Sequence, residues 1–345
     1  MKKDLRPRWE KKAAVAADGI ERITFSFYKY VRIEDPEKLQ EELFERWSTL
    51  GCLGRIYIAS EGINAQMNIP MKNWAQFDAY MKSRKEFSGV PYKVAVEEGK
   101  ESSFFKLMIR VKDKIVADGL DDDSFDVTNT GEYLTAKEMN EYIDDPEAVV
   151  IDMRNIYEAE VGHFQGAICP DVDTFREELK ITPETLRVHK NKKMAIYCTG
   201  GIRCEKASAW LKHNGFENVK HLKGGIIDYK HQVEAEGLDN KFLGKNFVFD
   251  ERLGEKIGEE VIATCHLCSK NKADTHYHCE SQACHVLFIG CESCIQKKKG
   301  FCSYKCLTLN KLPLKIKKKL SQNNYKNKPD AFKKHRLKSK FKIGA

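Results

Sequence analysis

The sequence predicts a multidomain chain of mixed class, an α+β domain followed by an α/β domain and a small cysteine-rich C-terminal segment of metal-binding type. Three observations carry this prediction. Strand and helix patterns follow different orders on either side of an acidic, polar stretch at 120–129, eight of the twelve cysteines crowd between Cys265 and Cys306, and thirteen lysines and arginines against the single acid Asp330 fill residues 311–345. At roughly 150 residues per domain, a chain of 345 residues exceeds one ordinary core.

Residues 22–30 alternate bulky and polar groups in the manner of a strand, and Asp35-Pro36 opens a helix reaching about Leu50. The apolar runs 55–60 and 63–69 are predicted strands, with Glu61-Gly62 as the hairpin turn between them. A second helix over 73–84 and strands at 92–96 and 104–111 complete the order β-α-β-β-α-β with one extra strand. This is the ferredoxin-like (acylphosphatase-like) order, one sheet with two helices on one face, assigned to residues 20–118.

Beyond 128 short apolar runs alternate with helical patterns. Residues 149–152, 167–168, 194–197 and 219–222 are predicted buried parallel strands, with helices at 136–143, 174–179 and 205–213 between them. An α/β domain over 128–240 follows.

Within it, the strand ending at Tyr197 delivers Cys198 to the carboxyl edge of the sheet, and a helix is expected to begin near Arg203 or Cys204. Amide donors and the positive dipole end of that helix favour a thiolate over a thiol, which makes Cys198 the candidate nucleophile. Gly200 and Gly201 let successive amides of the loop Thr199-Gly200-Gly201-Ile202 turn inward as an anion nest, and Arg203 adds a fixed charge. Four residues separate Cys198 from Arg203. Phosphatases of related architecture use one more, so the smaller ring here suits a persulfide sulfur. Cys204 is a candidate resolving thiol if it shares the loop mouth, and otherwise packs on the helix. Cys52 and Cys169 sit in apolar contexts and are expected in the cores.

The string Ile151-Asp152-Met153-Arg154 through Tyr157-Glu158 and Gly162-His163-Phe164-Gln165-Gly166-Ala167 resembles the N-terminal rhodanese signature, and His221-Leu222-Lys223-Gly224-Gly225-Ile226 the C-terminal one. Three motifs in the right order make the central domain similar to a rhodanese. Asp152, Arg154, Glu158 and His163 are read as packing and ion-pairing residues of that fold.

The cysteines fall into four pairs, Cys265/Cys268, Cys279/Cys284, Cys291/Cys294 and Cys302/Cys306, enough for two tetrahedral sites within 241–310. Structural zinc suits four thiolates closing a site with no open position, with iron–sulfur ligation as the competitor and a metal-free cluster as a third reading. Sequential pairing and an interleaved cross-brace both fit the spacing. His266, His276, His278 and His285 are possible substitutes for a cysteine. A segment this small is expected to need a metal staple.

The net charge of +8 resides in the tail, since 311–345 contributes +12 and leaves about −4 for the rest. A lysine-rich tail interleaved with Tyr325, Phe332 and Phe341 can neutralise phosphates without reading sequence, or remain a disordered solubilising segment. With no long apolar run and no secretory leader, the expectation is a cytoplasmic protein that avoids membranes.

Taken with Ser26-Phe27-Tyr28-Lys29-Tyr30, Ala59-Ser60-Glu61-Gly62-Ile63-Asn64-Ala65 and Phe247 to Arg252, the string from Tyr197 to Ser208 resembles the bacterial rhodanese-containing tRNA uridine(34) hydroxylases over about residues 20–306. The resemblance implies an oxidoreductase that converts the wobble uridine of tRNA to 5-hydroxyuridine with molecular oxygen as co-substrate. The residues themselves allow Cys198 to add at carbon 6 of uracil, with loop amides and Arg203 stabilising the developing charge. No flavin-type dinucleotide fingerprint, haem motif or facial triad is legible, so the electron donor is unidentified, and the oligomeric state is not encoded in any pattern. Two other classes fit the same chain. One is a persulfide-carrying sulfurtransferase, for which thiosulfate is expected to be a poor substrate because the loop has one cation, Arg203. The other is a tRNA-binding module without catalysis.

Overall fold

The computed structural model describes residues 6–97, 102–120, 125–281 and 284–313, with 316 and 337. Most of the basic tail, including Tyr325, Phe332 and Phe341, lies outside the described residues.

The chain opens with a helix that the sequence pattern does not announce, α1 (Arg8–Ala17), and continues with β1 (Arg22–Tyr30), α2 (Pro36–Thr49), β2 (Leu53–Ala59), β3 (Gly62–Pro70), α3 (Trp74–Ser83), β4 (Lys93–Val94) and β5 (Leu107–Val111). The sheet order is β4-β1-β3-β2-β5, antiparallel except for the parallel pair β2–β5. Four of these strands form the ferredoxin-like sheet and β5 is the extra one. Asp35 starts α2 by accepting from the Lys38 amide at 2.9 Å, with Pro36 in the first turn. Alternation along β1 then sorts its side chains. Phe25 and Phe27 pack against Trp47 of α2 and Phe77 of α3, leaving Ser26, Tyr28 and Tyr30 on the face without helices.

The turn between β2 and β3 is Ser60-Glu61 rather than Glu61-Gly62, because Gly62 already pairs with both Tyr30 and Ala59. A Cβ at Gly62 would lie 2.0 Å from the Lys29 carbonyl oxygen, so glycine is required there for strand approach and not for the turn. The strand predicted over 92–96 shortens to Lys93–Val94.

The second body comprises β6 (Glu132–Leu134), α4 (Ala136–Asp144), β7 (Ala148–Asp152), α5 (Ile156–Ala159), β8 (Gly162–Phe164), α6 (Phe175–Thr185), β9 (Lys193–Tyr197), α7 (Ile202–His213), β10 (Val219–Leu222) and α8 (Gly225–Glu236). Its main sheet is parallel, in the order β6-β10-β9-β7. Period-two alternation divides two cores across it. Val149, Ile151, Met194, Ile196 and Cys198 face α6 and α7, while Val150, Ala195 and Tyr197 face α4 and α8. The strand expected at 167–168 is reduced to a single bridge between Ile151 and Ile168. Cys169 beside it is therefore only partly buried, against the expectation of a core position, whereas Cys52 is in the first core.

Beyond these, the described residues form β11 (Phe242–Asn246), β12 (Glu255–Lys256), β13 (His276–His278), β14 (Leu287–Ile289), α9 (Glu292–Lys298) and α10 (Tyr304–Leu309). β11 pairs antiparallel with β8, tying this segment to the middle body. Among the described residues no helix is long and apolar enough to cross a membrane.

Candidate active site

β9 carries Cys198 to the carboxyl edge of the parallel sheet, and α7 begins at Ile202, slightly earlier than expected. Gly201 adopts φ 94°, which a side chain would strain, and its amide donates to the Cys198 Sγ at 3.2 Å. Burial pushes the thiol up, but donation from the Cys204 thiol, the charge of Arg203 and the amides of Cys204 and Arg203 overcome it, and the pKa falls from 9.0 to about 6. This lowering favours the thiolate of Cys198 at neutral pH, the form the candidate nucleophile needs.

Cys204 lies beside it, fully buried, with its own thiol pushed well above the ordinary range by burial and by the neighbouring Cys198. It is a proton-bearing donor to the thiolate and does not line the cavity described next. The Arg203 guanidinium is held by Glu158 of α5 through bonds of 2.7 and 2.9 Å and also donates to Thr199 Oγ1 at 3.2 Å. Its charge therefore reaches Cys198 but is largely engaged by the carboxylate. Asp152 and Arg154 form a fully buried pair that fastens Tyr197 and the Gly162 carbonyl. His163 Nδ1 is 2.9 Å from the Ala159 carbonyl oxygen. These contacts agree with a packing role for the signature residues, and Glu158 additionally orients a member of the loop.

Above the loop lies a cavity of about 230 Å³ bounded by Cys198, Thr199, Gly200 and Arg203 on one side. The opposite wall is the helix-free face of the N-terminal sheet, which contributes Tyr28 from β1, Tyr57 from β2, Asn64 and Gln66 from β3 and Lys93 from β4. Phe249 closes one flank, with the Arg203 guanidinium 6.0 Å from its ring centroid.

The two bodies are locked across this cavity. Tyr28 Oη donates to Glu205 at 2.9 Å, and Lys206, almost entirely buried, bridges Glu61 at 2.9 Å and Asp118 at 2.6 Å. The cavity wall is what the sequence reading missed. Its signal was the alternation in β1, which leaves tyrosines on a face that a one-sided helix layer cannot cover. Arg203 is also not the only cation at the loop, because Lys93 arrives from another body through a strand pairing invisible in local sequence.

The eight cysteines gather into two quartets, Cys265/Cys268/Cys291/Cys294 and Cys279/Cys284/Cys302/Cys306, with the four sulfurs of each within 4.8 Å of one another. The first pair joins the third and the second joins the fourth, which is the interleaved cross-brace. Sulfur separations of 3.7 Å (Cys284–Cys302) and 3.6 Å (Cys302–Cys306) match the edge of about 3.8 Å expected around a tetrahedral ion with metal–sulfur bonds of about 2.3 Å. Each set can bind a metal. None of His266, His276, His278 and His285 joins a quartet, and His266 Nδ1 instead accepts from the Ile289 amide.

A parallel α/β sheet presenting an amide-cradled thiolate at its carboxyl edge, roofed by an acylphosphatase-like sheet, defines a rhodanese-domain enzyme with an added N-terminal wall. Family models agree: a UPF0176 acylphosphatase-like domain matches residues 22–115, a rhodanese-like domain 135–232 and a rhodanese C-terminal domain 243–307. The tRNA uridine(34) hydroxylase of Leptospira interrogans serogroup Icterohaemorrhagiae serovar Lai is 51% identical over 316 residues, covering 90% of this chain and 86% of the relative. The protein of the same name from Escherichia coli strain K12 / DH10B is 49% identical over 296 residues, covering 86% and 84%. The chain belongs to the tRNA uridine(34) hydroxylase family.

Proposed function

We propose that this chain hydroxylates uridine 34 of tRNA at carbon 5, forming 5-hydroxyuridine with Cys198 as nucleophile and molecular oxygen as co-substrate. The observation that carries the reading is Cys198, its thiol pKa lowered to about 6, lining a partly open cavity of about 230 Å³ walled by aromatic rings. A base must leave its stack to enter such a site, and the aromatic walls Tyr28, Tyr57 and Phe249 supply the surfaces that receive it.

Carbon 5 of uracil reacts poorly with oxygen until thiolate addition at carbon 6 makes it an enolate carbon. The Gly201, Arg203 and Cys204 groups that hold the thiolate also let it leave again as an anion. One oxygen atom ends on carbon 5, and reduction of the other to water takes two electrons and two protons from a donor that is not identified. The cytoplasm is where such an enzyme meets its tRNA.

The quartets fit zinc by donor chemistry, four thiols each with no open position, and zinc there is a structural staple placed away from Cys198. The lysine-rich segment 311–345 adds phosphate contacts by charge alone.

In a strain lacking the gene, complementation with Cys198→Ser should leave 5-hydroxyuridine absent from digested tRNA by mass spectrometry. Full retention of the nucleoside removes Cys198 from the mechanism. A second reading, persulfide transfer, gains from Lys93, since thiosulfate would now meet two cations. Thiocyanate formed from thiosulfate and cyanide, with persulfide mass on Cys198, would favour it.

A further inference from the structure

Lys93 is out of place for an ordinary lysine. It is 3% exposed, and its aliphatic stem lies 3.7 Å from where a Cβ on Gly200 would stand, directly against the Cys198 loop. Its ammonium sits 4.5 Å from the ring centroid of Tyr28, and the side chain lines the cavity together with Cys198. No hydrogen bond or ion pair to this ammonium is made among the described residues. Asp228, Cys198 and Glu205 act on it only through space, and burial lowers its pKa from the ordinary value. Glu205 is already engaged by the phenols of Tyr28 and Tyr133.

A buried ammonium held only by an aromatic face is costly unless an anion is delivered to it. The other two cations lining the cavity are already engaged, Arg203 by two bonds from its guanidinium to Glu158 and Arg252 by its bonds to Asp250 and Glu255.

We propose that Lys93 is the oxyanion-stabilising residue of the uridine reaction, placed by the N-terminal sheet to receive the negative charge that leaves Cys198. The proposal rests on the reading that Cys198 adds to carbon 6. In that step the Sγ–carbon 6 bond forms, the π pair between carbons 5 and 6 shifts toward the carbon 4 oxygen, and the charge of the thiolate moves onto that oxygen. No proton or electron is exchanged with a third party. An almost fully buried cation waiting at the cavity wall stabilises this state more than the starting uridine, which is the condition for acceleration.

The step can be isolated from oxygen and from any reductant. Under argon in deuterium oxide, the enolate takes a deuteron at carbon 5, loses the original proton and expels the thiolate, so uridine 34 gains deuterium with no net chemistry. Full-length protein with an anticodon stem-loop containing uridine 34 should show this exchange, and Cys198→Ser should abolish it. Lys93→Met should slow the exchange roughly 100-fold. The midpoint of Cys198 alkylation by iodoacetamide, read against pH, should rise only slightly in the same variant, far too little to account for the loss of exchange, because Lys93 acts on the thiolate only through space. Lys93→Gln, which keeps a polar tip, carries the same expectation.

Wild-type exchange rates in both lysine variants would overturn the role of Lys93 and leave carbon 6 addition standing. A displaced alkylation midpoint that accounts for the whole loss would also overturn it, since Lys93 would then be serving the thiol. Absence of exchange in the wild type would remove carbon 6 addition and this proposal together, while the hydroxylation itself is judged separately by the nucleoside analysis of cells.

Discussion

At the scale of single residues, the low pKa of Cys198 comes from groups in its own loop and the start of the following helix. Its amides and Arg203 are local, so the thiolate was legible from the strand-Cys-Gly-Gly-Arg-helix string alone. Iodoacetamide should modify Cys198 with a midpoint near pH 6, since its pKa is lowered to about 6. The folded pKa lies below the unfolded one. The stabilisation from ionising this group is therefore complete above about pH 9, the unfolded value, and is lost as the pH falls through about 6. Arg203→Met should move the alkylation midpoint upward by about 1–3 units. Glu158→Ala should cost about 3–5 kcal/mol in urea unfolding, because it strands a buried guanidinium. What single residues did not disclose is the company they keep. Nothing in the sequence around Lys93 or Tyr28 marks either as a neighbour of Cys198, and Cys204 reads equally as a resolving thiol or a helix-packing residue until its burial is known.

At the scale of elements, the strands of the first body were legible because β1 alternates and because Asp35-Pro36 announces α2. The hairpin turn was displaced by one residue, since glycine is so common in turns that its need at a close strand crossing looks the same in sequence. Gly62→Ala separates the two explanations. In a turn the change would be nearly neutral, whereas the predicted collision with the Lys29 carbonyl should destabilise the protein by about 1–3 kcal/mol and lower its urea midpoint. The apolar pair Ala167-Ile168 failed as a strand because β8, just before it, pairs with β11 instead and leaves it a single bridge. That partner lies about eighty residues away, beyond the reach of any local pattern.

At the scale of the whole molecule, three bodies meet at one cavity, and the cross-brace staples the third. If both quartets hold metal, interleaving should make the two sites interdependent, because the chain between the cysteine pairs of one quartet carries a pair of the other. Purified protein should contain two zinc ions per chain, and Cys268→Ser should release both rather than one, measured by metal analysis after dialysis. Retention of one full equivalent would argue for independent sites. Removal of residues 317–345 should weaken tRNA binding and flatten its dependence on salt, since every phosphate that the tail no longer neutralises reduces the slope by about 0.7–0.9.

The sequence by itself determined most secondary elements of the first two bodies, the candidate nucleophile Cys198 with its local cradle, and the eight cysteines that could hold metal, because each depends on residues a few positions apart. Only the tertiary structure decided which cysteine pairs share an ion, which wall faces Cys198 and which second cation reaches it. The wall and the second cation depend on how an uncovered sheet face is buried against another body, settled by packing between segments more than a hundred residues apart, and the cysteine grouping on how the C-terminal segment folds back on itself.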